Sequence, residues 1–170
     1  MNLKKNLVLL GMMGSGKSSI GSMVSKKSNL KFIDVDNVIE HQSKTKIVDI
    51  FENKGESYFR NLEEKITIKI LQNNCCVISL GGGAFLNDKI RKEIVNNHLS
   101  FWLNWDNKTL LQRIKNSKKR PIAYNSTDDE LINLIKKRSK IYSKAKFKIN
   151  CNNLTKTEIA KKILNFNELN

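Results

Sequence analysis

The sequence predicts a single α/β domain, a three-layer α/β/α sandwich in which helices cover both faces of a parallel sheet. Two observations carry that expectation. Short apolar runs alternate with segments of helical periodicity along the chain, and the first run leads through a glycine loop straight into a helix. The 170 residues suffice to bury a sizeable core yet leave little room for a second domain, so 1–170 is read as one unit. A composition 39% hydrophobic and 28% charged, with one proline, excludes disordered, collagen-like and disulfide-scaffold classes.

Taken in order, the apolar runs at 6–10, 31–33, 75–80, 99–103 and 147–149 are short enough for buried strands. Helices are expected at 17–27, 36–43, 47–53, 57–72, 88–96, 107–115, 128–143 and 156–166. Asp36 is placed to cap the second helix, Asn87-Asp88 to open the fifth, and Thr155 with Glu158 to form a capping box. Phe59, Leu62, Ile66 and Ile70 make an apolar stripe on helix 57–72. Residues 116–127 lack periodicity, hold the only proline and are very basic, which predicts a loop.

Three cysteines, two of them adjacent in an apolar run, favour reduced, core-facing thiols in a cytoplasmic protein. No run approaches the length of a bilayer span, and the opening apolar run is too short for a signal peptide, so neither membrane insertion nor export is expected. The formal charge is +15, which raises polyanionic partners. The 31 basic residues comprise 26 lysines and only five arginines, Arg60, Arg91, Arg113, Arg120 and Arg138, and the lysines are dispersed. Where arginine replaces the default lysine, a planar bidentate donor to carboxylate or phosphate is implied.

Gly11-Met12-Met13-Gly14-Ser15-Gly16-Lys17-Ser18 fits G-x-x-x-x-G-K-[ST] between a strand and a helix. Such a loop turns its N–H groups toward phosphate oxygens, Lys17 reaches the β and γ phosphates, and the Ser18 hydroxyl ligates Mg²⁺. Asp34-Val35-Asp36 closes the second strand at the sheet edge where ligands gather, with the two carboxylates expected on opposite sides of an extended backbone. Gly81-Gly82-Gly83 follows the third strand at the same edge, open to ligand contact with its backbone. Arg60 and Glu63 suit either a substrate contact or a plain i,i+3 surface pair. Arg113, Arg120 and Arg138 lie in or around the basic loop, from which guanidinium groups can close over a phosphoryl group. His41 and His98 are read as structural, with nothing placing them near a carboxylate.

As a set these motifs, together with Gly55-Glu56, Phe59-Arg60, Arg120-Pro121 and Arg138 with Tyr142, resemble a shikimate kinase over essentially the whole chain. The resemblance implies ATP-dependent phosphorylation of the 3-hydroxyl of shikimate and a five-stranded parallel sheet in the order 2-3-1-4-5. It also implies a shikimate-binding helical region at about 34–63 and a lid at about 113–127. By position it makes Lys17, Asp36 and Arg120 catalytic, and Gly14, Ser15, Gly16, Lys17, Ser18, Ser19, Arg113 and Arg120 nucleotide-binding, with Arg113 stacking on adenine. It gives shikimate to Asp36, Arg60, Gly82 and Arg138, and Mg²⁺ to Ser18 and, through water, Asp34. The cofactors implied are ATP and Mg²⁺, and the partners are shikimate and ATP, with no nucleic acid, no membrane and a monomeric state. Residues 150–155 depart from the family pattern where the purine is held. Two rivals stand beside this reading: another small-molecule kinase of the same fold, such as a gluconate kinase, and a basic nucleic-acid-binding module.

Overall fold

A computed structural model of the chain describes residues 5–115 and 126–168. Five parallel strands, β1 (Leu7–Leu10), β2 (Lys31–Asp34), β3 (Cys76–Ser79), β4 (Leu99–Asn104) and β5 (Phe147–Asn150), form one sheet in the order β2-β3-β1-β4-β5. The helices are α1 (Lys17–Ser28), α2 (Val35–Ser43), α3 (Ile47–Leu71), α4 (Asp88–Asn97), α5 (Asn107–Lys115), α6 (Asp128–Tyr142) and α7 (Lys156–Glu168). A short 3-10 turn spans Ala84–Leu86.

The period-2 alternation of the central strand sorts its side chains between two cores. Val8 and Leu10 face a large cluster with Ile39, Phe59, Ile66, Ile78, Phe85, Ile90 and Tyr142. Leu7 and Leu9 face a smaller one with Ile20, Val24, Val77, Phe101, Ile159 and Ile163. Thus α1 and α7 cover one face and α2, α3, α4 and α6 the other. All four side chains of β1 are essentially inaccessible, each contributing about 1.5–3 kcal/mol of burial. Asn6, fully buried just before β1, ties three elements: its amide donates to the Leu71 and Asn73 carbonyls at 3.2 and 2.6 Å, and its carbonyl accepts from Cys76 N at 3.0 Å.

Expected boundaries hold closely, and the departures are the cap of α2 and the place of Cys75. The two helices expected at 47–53 and 57–72 stand end to end within α3, separated by a kink at Gly55, whose φ of 77° and ψ of 170° are open to glycine alone. Asp34, not Asp36, is the cap of α2, its carboxylate accepting from Asp36 N and Asn37 N at 3.1 and 3.4 Å. Cys75 lies outside the sheet with φ 57° and is exposed, whereas Cys76 and Cys151 are buried as expected. Burial pushes the Cys151 thiol up to about 12, so it is an inert part of the core. The loop expected at 116–127 falls mostly outside the described residues; within its end, Thr127 and Glu130 form a capping box that opens α6. No helix among the described residues is long and apolar enough to cross a membrane.

His98 is not clear of carboxylates. It is buried at the end of α4 with Nε2 3.7 Å from Glu93 Oε1. Burial lowers its pKa below the usual 6.5; Glu93 opposes the shift and Lys5 adds to it. The unfolded chain therefore takes up this proton first, so stability is complete above about pH 6.5 and falls as pH drops toward the depressed folded value. His98→Phe is expected to flatten that acid limb, as read by the difference in thermal midpoint between about pH 7.5 and about pH 5.

Candidate active site

The glycine loop between β1 and α1 is shaped by three residues of positive φ: Gly11 at 141°, Gly14 at 78° and Gly16 at 87°. Its turn is closed by Ser15 N donating to Met12 O at 3.1 Å. Gly16 stands at the N-cap of α1 and has no side chain to occupy the first-turn amides, leaving the positive end of the helix to a ligand. Lys17 is buried and its ammonium donates to the Gly11 and Met12 carbonyls at 2.9 and 3.0 Å. The Ser15 hydroxyl is buried with no hydrogen-bond partner. Ser18 and Ser19 are exposed, and Ser19 Oγ donates to Gly16 O at 3.1 Å. A cationic ammonium, an unpartnered buried hydroxyl and a bare helix start suit a phosphate chain.

The carboxyl ends of β2 and β3 supply a second group of residues. Asp36 sits on the first turn of α2, not on extended backbone, so the two aspartates do separate in role but for a helical reason: Asp34 is bound to backbone amides and Asp36 is directed toward Gly81. A Cβ on Gly81 would stand 2.6 Å from Glu63 Oε1 and 2.8 Å from Asp36 Oδ1. One on Gly83 would collide with the Arg60 guanidinium. One on Gly82 would lie 3.4 Å from Met13 N and 3.9 Å from Arg138 Nη1. Close approach thus crowds Gly81 and Gly83, whereas Gly82 has room for ordinary contact; together the three form a strip of bare backbone between the phosphate-type loop, two carboxylates and two guanidinium groups. Gly83→Ala is expected to displace Arg60 and weaken binding of a carboxylate ligand while leaving nucleotide binding intact, as titration calorimetry with each ligand would reveal.

The two arginines reach this strip from different helices. Arg60, on α3, pairs through Nη1 with Glu63 Oε2 at 2.7 Å and through Nε and Nη2 with Glu56 Oε1 at 3.1 and 3.0 Å. Its partial burial works against the charge, but Glu63 and Glu56 outweigh that and raise its pKa. The Glu63 carboxylate is only 3% exposed, so the pair is more than a solvated surface contact. Arg138, on α6, is itself buried; Nη1 lies 3.5 Å from Gly82 O and 3.9 Å from Met12 Sδ, and Nε is buried with no partner. An unsatisfied guanidinium N–H in such a place is costly unless a ligand accepts from it.

Tyr142, one turn beyond Arg138, donates its hydroxyl to Gly82 O at 2.5 Å and fixes that peptide. Burial pushes this phenol up to about 12, so it stays a donor at neutral pH. Arg91, the arginine with no part in this group, uses Nη1 on the Phe85 and Leu86 carbonyls at 3.1 and 2.9 Å and pairs with Asp88, bracing the turn that follows the triplet.

At the other end of the sheet edge, Arg113 lies on the last turn of α5, within the helix expected at 107–115, its Cβ 3.3 Å from where a Cβ on Gly14 would stand. Its guanidinium carbon is 3.7 Å from the centroid of the Trp105 ring, and Trp105 Nε1 donates to Ser15 O at 3.0 Å. Segment 150–155 approaches from β5: Cys151 N donates to Asn104 O at 2.8 Å and Asn152 Oδ1 accepts from Asp106 N at 3.0 Å. Arg120 lies outside the described residues. A separate cleft of about 620 Å³ between α2 and α3, lined in part by Asp49, Lys54, Tyr58 and Lys69, shares none of the residues above. Sequence reasoning missed Trp105 and the Tyr142 hydroxyl bond; the indole signal was an aromatic directly after a strand at the ligand edge.

Comparison with known proteins decides the family. The shikimate kinase family model matches residues 13–168. The chain belongs to the shikimate kinase family. It is similar to the shikimate kinase of Sulfurihydrogenibium sp., 39% identical over 160 residues that span 94% of this chain and 96% of the relative. The solved shikimate kinase of Acinetobacter baumannii, in complex with shikimate, superposes with a TM-score of 0.90 at 29% identity, covering 95% of this chain and 92% of that one. A gluconokinase of Sinorhizobium meliloti gives a TM-score of 0.57 at 15% identity, over 97% and 92% of the two chains, and shares the fold alone. The sheet order β2-β3-β1-β4-β5 is the one that the resemblance to the family implies.

Proposed function

We propose that this chain transfers the γ-phosphoryl group of ATP to the 3-hydroxyl of shikimate. The observation that carries the reading is the glycine strip, with Met13 of the phosphate-type loop on one side and Asp36, Arg60 and Arg138 around the other. Shikimate is a small cyclic carboxylic acid with ring hydroxyls. Its carboxylate would accept from Arg138 Nε, and from Arg60 held in place by Glu63. Asp36 would take the ring hydroxyls and aim the 3-oxygen at the γ-phosphorus; as the new P–O bond forms and the bond to ADP breaks, the hydroxyl proton passes to its carboxylate. Asp36 is thus both a substrate ligand and the candidate base.

Gly14, Ser15, Gly16, Lys17, Ser18 and Ser19 would hold the phosphates, with Lys17 exchanging the Gly11 and Met12 carbonyls for β and γ oxygens. The donor set also suits Mg²⁺: Ser18 is exposed at the start of α1, and Asp34 keeps a carboxylate at the sheet edge while capping α2. Bound there, the ion would neutralise charge on the β and γ phosphates. Arg120 lies outside the described residues, and the family resemblance alone assigns it to the transferred phosphoryl group. Arg113 is assigned to the base.

We read the protein as a cytoplasmic monomer without nucleic-acid or membrane partners. In support of the monomer, the large exposed hydrophobics among the described residues, Tyr58, Val95 and Phe166, lie on three different helices, and scattered apolar residues do not make an interface. A panel of acceptors with coupled detection of ADP tests the reaction. Turnover is expected with shikimate and not with gluconate; ADP release with gluconate in preference, or with neither, would overturn it.

A further inference from the structure

We propose that Trp105 is a positioning residue of the nucleotide site: its indole backs the Arg113 guanidinium so that a purine stacks on the opposite, solvent-facing side. This rests on the reading that the loop at 11–18 holds a triphosphate. The guanidinium carbon lies in van der Waals contact with the indole face, at 3.7 Å, and Arg113 is nonetheless exposed. One face of the planar cation is thus covered and the other remains for a second ring. The same indole donates its N–H to Ser15 O at 3.0 Å, so the glycine loop, closed on itself by the Ser15 N to Met12 O bond, fixes where the indole stands.

Trp105 is wedged between both cores, packing against each. Its neighbours along the chain are tied to the β5 exit, Asn104 Nδ2 to Asn150 Oδ1 at 3.1 Å and Asp106 N to Asn152 Oδ1 at 3.0 Å. An arginine alone at a helix end samples many rotamers. Held against the indole, it presents its ring-like plane already oriented, which lowers the cost of ordering it when the base arrives.

The test measures KM for ATP, KM for shikimate and competitive inhibition by inorganic tripolyphosphate, which carries no base, in the full-length protein. Trp105→Leu is expected to raise KM for ATP about fivefold or more, with KM for shikimate and the tripolyphosphate inhibition constant serving as internal references that hold. Trp105→Phe, which keeps a ring face and loses the N–H, recovers most of the ATP effect. Arg113→Ala and the Trp105→Leu/Arg113→Ala double variant give the same KM for ATP, because the indole acts only through the guanidinium. An equal rise in the tripolyphosphate constant would show that Trp105 merely supports the loop and would overturn the proposal, as would an unchanged KM for ATP in a folded Trp105→Leu protein. Wild-type protein that binds neither ATP nor tripolyphosphate would instead overturn the triphosphate reading beneath it. Should Trp105→Leu not fold, the comparison of Trp105→Phe with Arg113→Ala decides: the proposal fails if Arg113→Ala leaves KM for ATP unchanged.

Discussion

Lys17→Ala is expected to lower kcat by about 100-fold or more while shikimate binding, measured by calorimetry, is retained. The ammonium is buried and already desolvated, so its charge acts on incoming phosphate oxygens at a low effective dielectric. It contributes most where negative charge moves onto the bridging oxygen of the leaving ADP, which makes the loss appear in turnover more than in acceptor affinity. The same substitution strips the Gly11 and Met12 carbonyls of a donor, and a fall in stability of about 1–3 kcal/mol should accompany it. Thermal unfolding separates the two effects: at saturating substrates and a temperature well below the variant's midpoint, turnover should still not be restored. Near-normal turnover by a folded variant would contradict the role of the loop.

Arg138→Lys, although it conserves charge, is expected to weaken shikimate binding by about 1–3 kcal/mol. The buried guanidinium presents Nε and Nη groups as a rigid fork, and Nε has no protein partner. A lysine offers one ammonium on a mobile stem, so at least one of two parallel contacts to a carboxylate is lost. Arg60→Lys should cost binding in the same range and stability as well, because the nearly buried Glu63 carboxylate loses its close partner. Calorimetry with shikimate and a melting curve for each variant check both statements; an unchanged Kd in Arg138→Lys would remove the carboxylate reading of the site.

The parts of the fold and site that were legible in the sequence share a cause: local rules decide them. A strand of four buried residues running into glycines and Lys17 has one favoured structure, and the rarity of arginine in a lysine-rich chain draws attention to Arg60, Arg113, Arg120 and Arg138, of which Arg60 and Arg138 flank the glycine strip. The Thr155–Glu158 capping box formed as expected because its bonds span three residues. What could not be read depends on the third dimension. Asp36 was placed on extended backbone because the sequence does not reveal which of two aspartates surrenders its carboxylate to the helix. Cys75 was expected inside because its apolar neighbours masked a left-handed residue before the strand. Tyr142 lies 60 residues from Gly82 and Trp105 lies 90 from Ser15, and no periodicity reports such partners. Arg91 qualifies the scarcity argument, since its fork serves main-chain carbonyls rather than a ligand.

Gly82 turns bare backbone toward Met13, since a Cβ there would stand 3.4 Å from Met13 N, so no side chain of the strip fills the space between the acceptor's seat and the loop that grips its donor. Backbone is the least compressible spacer a protein has, so a shift of either wall is felt by the other. Thermodynamic reciprocity then fixes the sign and size in both directions: whatever factor one occupant adds to the affinity of its neighbour, the neighbour must return in full.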